Sequence, residues 1–101
     1  MAYRFQKNGT ELTVWLEGEI NSVTAFELDA LLTAELAGVK LLALDLTDCS
    51  YVTSAGIRVM LAAHKRMRKE NGSMRLFHVG AFFLELLQNL GLDTVFDIQQ
   101  Q

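Results

Sequence analysis

Residues 41–61, LLALDLTDCSYVTSAGIRVML, pass from an apolar strand through a polar turn into an amphipathic helix. Leu41 to Leu46 is almost wholly apolar, as expected of a central strand covered on both faces, or on one face and an edge. From Ala55 onward Ile57, Met60, Leu61, His64 and Met67 recur at helical spacing, while Arg58, Lys65, Arg66, Arg68 and Lys69 take other positions. The basic residues gather toward the C-terminal end, where the helix dipole favours them. Asn71-Gly72 then closes the segment.

On the N-terminal side, Ala2 to Gln6 alternates with Tyr3 and Phe5 on one face, Asn8-Gly9 is a hairpin signal, and Leu12, Val14 and Leu16 resume the alternation. An antiparallel pair follows, with Trp15 on the face opposite Leu12 and Leu16. Thr24-Ala25-Phe26-Glu27 fits a capping box opening a helix with Leu28, Leu31, Leu32 and Leu36 on one stripe, which Gly38 ends. On the C-terminal side, Met74 to Val79 reads as a strand with Met74, Leu76 and His78 on one face. Phe82, Phe83, Leu86, Leu87 and Leu90 make a short helix ending at Gly91, and Val95, Phe96 and Ile98 form the last strand. A strand joined to a strand through a helix pairs in parallel with a right-handed crossover. The predicted class is therefore α/β, a single-layer mixed β-sheet flanked by helices in the order β-β-α-β-α-β-α-β, with residues 1–101 forming one domain.

Composition narrows the function. A chain of 101 residues, half of them hydrophobic, has room for one core. With 9 Lys and Arg against 12 Asp and Glu, no overall positive field holds nucleic-acid phosphates. The single cysteine, Cys49, has no internal disulfide partner, and the opening residues lack the apolar centre of a signal peptide, so a cytoplasmic setting is expected. No apolar run approaches the roughly 20 residues of a membrane span, so no direct membrane insertion is expected.

Enzyme signatures fail on spacing: there is no phosphate-binding Gly-Lys-Ser/Thr loop, no dinucleotide fingerprint and no paired Cys or His ligands. His64 and His78 read as independent helix and strand positions rather than a shared metal site. Cys49, beside Asp48 and without an adjacent cation, is a poor candidate for a reactive thiolate. Val52-Thr53-Ser54-Ala55-Gly56 approaches a hydrolase nucleophile elbow, but Val52 stands where the elbow needs a small residue. Ser54 or Thr53 reads instead as an N-cap whose hydroxyl accepts a backbone N–H of the following helix. Gly56 in a first helical turn costs about 1 kcal/mol relative to alanine, which implies a close approach to the backbone there. A helix N-terminus with free N–H groups and an adjacent hydroxyl is a natural place for a phosphate.

The run from Asp45 to Val59, DLTDCSYVTSAGIRV, resembles the signature of STAS domains, the family of bacterial anti-sigma factor antagonists. Leu16 to Asn21 followed by Thr24-Ala25 is similar to that family's second strand and its turn into the first helix. The resemblance implies a non-catalytic protein-binding switch that holds an anti-sigma factor while unphosphorylated and regulates sigma-factor-dependent transcription. The anti-sigma factor is itself a serine kinase in this scheme. Its phosphoryl transfer to the position of Ser54, with Thr53 as the alternative acceptor, releases the complex until a phosphatase restores the hydroxyl. ATP belongs to the partner, and no cofactor is implied for this chain. Partner contacts are expected at Asn21, Ser22, Thr53, Ser54, Ala55, Gly56 and Arg58. The family often has Asp where Thr53 stands, Ser or Thr where Ala55 stands, and Asp where Asn21 stands. The resemblance also extends to constitutive adaptor subunits of membrane transporters, including lipid ABC systems, a reading that Thr53 favours.

Overall fold

The structure, a computed structural model, describes residues 3–99, so the expected start of the first strand at Ala2 lies outside the described residues. β1 (Arg4–Asn8) and β2 (Glu11–Ile20) pair antiparallel through the two-residue loop Gly9-Thr10, with Arg4 opposite Trp15 and Asn8 opposite Glu11. Gly9 has φ +60°, which glycine adopts without steric cost. β3 (Leu41–Val52), β4 (Ser73–Phe77) and β5 (Asp97–Gln99) follow, and the sheet order is β1-β2-β3-β4-β5 with every pair after the hairpin parallel.

α1 (Ser22–Glu35), α2 (Ser54–Lys69) and α3 (Ala81–Asn89) are the crossovers. Right-handed connections between neighbouring parallel strands taken in chain order put all three helices on one face of the sheet. The burial pattern agrees. Leu12 and Val14 of β2, Leu42 and Leu44 of β3, and Met74 and Leu76 of β4 are buried in register with one another, and Leu16 and Leu46 are buried as well. They meet Ala25, Leu28 and Leu32 of α1, Ile57, Met60, Ala63 and Met67 of α2, and Phe83 and Leu87 of α3. The alternate positions, among them Thr13, Trp15, Ala43 and Phe77, form the other face and are half-buried. Arg4 lies over the Trp15 ring, 5.0 Å from its centroid, and also reaches Glu17 at 3.5 Å.

Several elements depart from the sequence expectation. The α1 capping box closes one turn earlier than Thr24–Glu27. Asn21 is the N-cap, its Oδ1 accepts the Val23 and Thr24 N–H groups at 3.0 Å, and Thr24 Oγ1 accepts the Asn21 N–H at 2.8 Å. β3 runs six residues beyond Leu46, because Glu17 to Ile20 of β2 continue the parallel ladder against Asp48 to Val52. Two irregularities, between Trp15 and Glu17 and between Gly18 and Glu19, let twelve residues of β3 run beside ten of β2. Tyr3 is buried and its hydroxyl donates to the Thr24 carbonyl at 2.8 Å, whereas Phe5, on the outer strand, is 44% exposed. β4 stops at Phe77, since His78 takes a left-handed conformation at φ +57°. Val95 and Phe96 precede the last strand, following a 3₁₀ turn at Leu92–Thr94, though Phe96 is still buried in the core.

Candidate functional site

Parallel pairing brings the ends of β2 and β3 together, Ile20 beside Val52, so the turns into α1 and α2 leave the same end of the sheet. Two chain segments some thirty residues apart thus become one surface. Their junction is a three-centre contact: the Ile20 carbonyl accepts the Thr53 N–H at 2.9 Å and the Thr53 hydroxyl at 2.8 Å.

That contact corrects the expected cap. Thr53 is the N-cap residue of α2, but its hydroxyl points to Ile20 and makes no bond to the helix. Ser54 begins the helix proper and is exposed. The first helical bond is Ile57 N–H to the Thr53 carbonyl, at 3.0 Å, so the N–H groups of Ser54, Ala55 and Gly56 are those that α-helical bonding leaves over. With no side chain capping them, they and the helix dipole form a locally positive end beside the Ser54 hydroxyl.

Gly56 is buried, and its role is internal. A Cβ there would lie 2.7 Å from Val52 Cγ1 and 2.8 Å from Ile20 Cγ2. The close approach inferred from sequence is therefore made by the chain's own β2 and β3, which lets α2 sit tightly on the strand ends. Asn21 likewise serves structure: its Oδ1 caps α1, and its Nδ2 donates to Glu19 Oε1 at 3.2 Å. Ser22 and Arg58 are exposed, while Ala55 is half-buried.

The three helix N-termini, at Asn21, Thr53 and Gly80, all follow C-terminal strand ends and so share this end of the sheet. They carry exposed apolar side chains: Val23 and Phe26 on the first turns of α1, the latter 73% exposed, Tyr51 just before Ser54, and Phe82 on α3, 69% exposed. Val23 and Phe26 were not singled out, although both lie off the Ala25-Leu28-Leu32 stripe that faces the core, which is the available signal.

The family described as "Mlab, STAS domain" matches residues 3–99. The chain belongs to the STAS family. A protein of Bordetella bronchiseptica named as an anti-sigma factor antagonist, BtrV, is 32% identical over 88 residues, covering 86% of this chain and 76% of its own length. The fold of this STAS domain also matches a solved anti-sigma factor antagonist from Mycobacterium paratuberculosis, 24% identical with TM-score 0.83 over 96% of this chain and 83% of that one. It matches the Bacillus cell fate determinant SpoIIAA in its phosphorylated form, 14% identical with TM-score 0.81, over 99% of this chain and 91% of that one.

His78 Nδ1 sits 3.2 Å from Asp45 Oδ2, while His64 stacks edge-on against Phe96 at 5.8 Å. Burial alone raises the Asp45 carboxyl, but hydrogen bonds from the Thr47 hydroxyl and N–H, and then His78, outweigh it and hold the group below its ordinary value. Burial, and secondarily Arg68, pushes His64 below its ordinary value. Burial pushes the Cys49 thiol up, away from the thiolate, and outweighs a smaller opposing effect of the Tyr51 backbone. Among the described residues, no helix is long and apolar enough to cross a membrane, and no cluster of three or more His, Cys, Asp or Glu could hold a metal ion.

Proposed function

We propose that this chain is a cytoplasmic anti-sigma factor antagonist, a non-catalytic binding partner of an anti-sigma factor with serine-kinase activity, switched by phosphorylation of Ser54. The observation that carries the reading is the division of labour between the two adjacent hydroxyls. Thr53 spends its hydroxyl on the Ile20 carbonyl, while Ser54 is exposed at an uncapped helix N-terminus. Ser54, rather than Thr53, is therefore the acceptor of this scheme, and a phosphatase reverses the transfer.

The physics supports a switch. Phosphate brings about −1.5 to −2 charges, and burying it in an interface without a cation costs several kcal/mol, where each 1.4 kcal/mol is about tenfold in affinity. In the isolated domain the same phosphate faces the free N–H groups of Ser54, Ala55 and Gly56 and the positive end of the α2 dipole, so the fold tolerates it. The exposed Val23, Phe26 and Phe82 supply apolar contact area around Ser54 for a partner, with Ser22 and Arg58 as polar neighbours.

The test is incubation with the cognate anti-sigma kinase and ATP, read by mass spectrometry for wild type, Ser54→Ala and Thr53→Ala. Phosphate is expected on wild type and Thr53→Ala and absent from Ser54→Ala. Absence of phosphate from wild type would sink the switch. A second reading, a constitutive adaptor of a membrane transport complex, is favoured by the hydroxyl of Thr53 where the family often has a carboxylate. It predicts partner capture unaffected by Ser54→Asp.

A further inference from the structure

A cavity of about 180 Å³ opens between the second half of β3 and the start of α3. Leu46 and Val52 of β3 and Phe83 and Leu86 of α3 line it, together with Tyr51 and Phe82, whose rings stand 6.0 Å apart at 36°. Both rings reach the surface, and Phe82 is the more exposed of the two.

The lining decides the class of ligand. No Asp, Glu, Lys, Arg or His borders the cavity, and the Cys49 thiol on its wall is held in its neutral form by burial. Ser50 and the first turn of α3 at Gly80 and Ala81 add polar groups at one edge, but a charged guest would lose hydration without gaining a counter-ion, which favours a neutral one. The size is that of a small ring, since apolar cavities of about 150 Å³ take up benzene. Three aromatic side chains, Tyr51, Phe82 and Phe83, border the space, and ring edges and faces attract one another beyond their buried area.

We propose that the cavity between β3 and α3 is a binding site for a small neutral aromatic molecule, in the size range from benzene to indole. The inference goes beyond the proposed function and stands whether or not Ser54 is phosphorylated. A bound ring orders Tyr51 and Phe82, and Tyr51 lies three residues before Ser54, so occupancy reshapes the same end of the sheet.

The test is a titration of isotope-labelled chain with indole, followed through the methyl signals of Leu46, Val52 and Leu86. Saturable shifts confined to these residues and their neighbours are expected. Cys49→Met, which fills the wall, weakens binding by at least about tenfold. Phe82→Ala removes one ring from a solvent-exposed position and weakens binding by about threefold to tenfold while leaving the rest of the spectrum unchanged. Should Cys49→Met fail to fold, Phe82→Ala alone decides. Absence of saturable shifts in wild type, or affinity unchanged in the variants that fold, overturns the site. Benzoate binding as tightly as indole overturns the neutral class.

Discussion

The hydroxyl of Thr53 donates to the carbonyl oxygen of Ile20 at 2.8 Å, the same oxygen that accepts the Thr53 N–H at 2.9 Å. This joins the last residue of β2 to the first turn of α2 and holds Ser54 outward. Replacing Thr53 with Val keeps the shape and leaves the carbonyl one partner, so no acceptor is orphaned. The expected loss is that of one ordinary hydrogen bond, about 0.5 to 1.5 kcal/mol, seen as a lower urea midpoint with an unchanged slope.

Gly56→Ala is expected to destabilise despite alanine's helix preference. The propensity gain is about 1 kcal/mol, but the new methyl meets the branched side chains of Val52 and Ile20 at 2.7 and 2.8 Å. Neither can swing away from a packed strand end, and overpacking of this kind costs about 1 to 3 kcal/mol. In a double-mutant cycle, Val52→Ala should recover part of the loss; strict additivity would show that the clash lies elsewhere.

Asn21→Ala removes the oxygen that accepts two N–H groups at the start of α1, with an expected cost of about 1 kcal/mol in chemical denaturation. Asn21→Asp keeps the cap. Its negative charge gains from the helix dipole but faces the Glu19 carboxylate that Nδ2 now contacts, so stability should stay within about 0.5 kcal/mol of wild type.

Ser54→Asp should leave the isolated domain as stable as wild type or raise it by about 0.3 to 1 kcal/mol, because a carboxylate joins an uncapped helix N-terminus. A melting temperature several degrees lower would contradict the open, positive character of this site. The same substitution should weaken the anti-sigma partner by about tenfold or more in a binding titration.

Acid should destabilise the domain in two separate windows. His64 Nδ1 is buried without a hydrogen-bond partner among the described residues, and burial, then Arg68, holds the folded-state pKa below 6.5. The unfolded chain therefore takes up the proton first, and stability falls as pH drops through 6.5. His64→Phe, which retains a ring against Phe96, should flatten that slope. Asp45 is also depressed in the folded state, from 3.8, so its contribution is full above that value and is lost as pH falls below it. Asp45→Asn should remove this second step in pH-dependent denaturation.

Local patterns in the chain were sufficient for the element order, the hairpin at Gly9, the apolar stripe of α2 and the strand–turn–helix at Ser54. Each depends on period, turn chemistry or a contiguous motif, which neighbouring residues carry by themselves. The extension of β3 through Thr47-Asp48-Cys49-Ser50 was not legible, because a polar run becomes strand only when β2 offers a ladder to pair with. The roles of Thr53 and Gly56 belong to the same class: a hydroxyl becomes an inward tie, and a missing side chain becomes a seat for the helix, only because Ile20 arrives from far upstream in the chain, 33 residues before Thr53. The sequence by itself determined that a serine would open a helix after a central strand. Tertiary structure decided that this serine, and not its threonine neighbour, faces outward, because long-range pairing chooses which hydroxyl finds a buried acceptor.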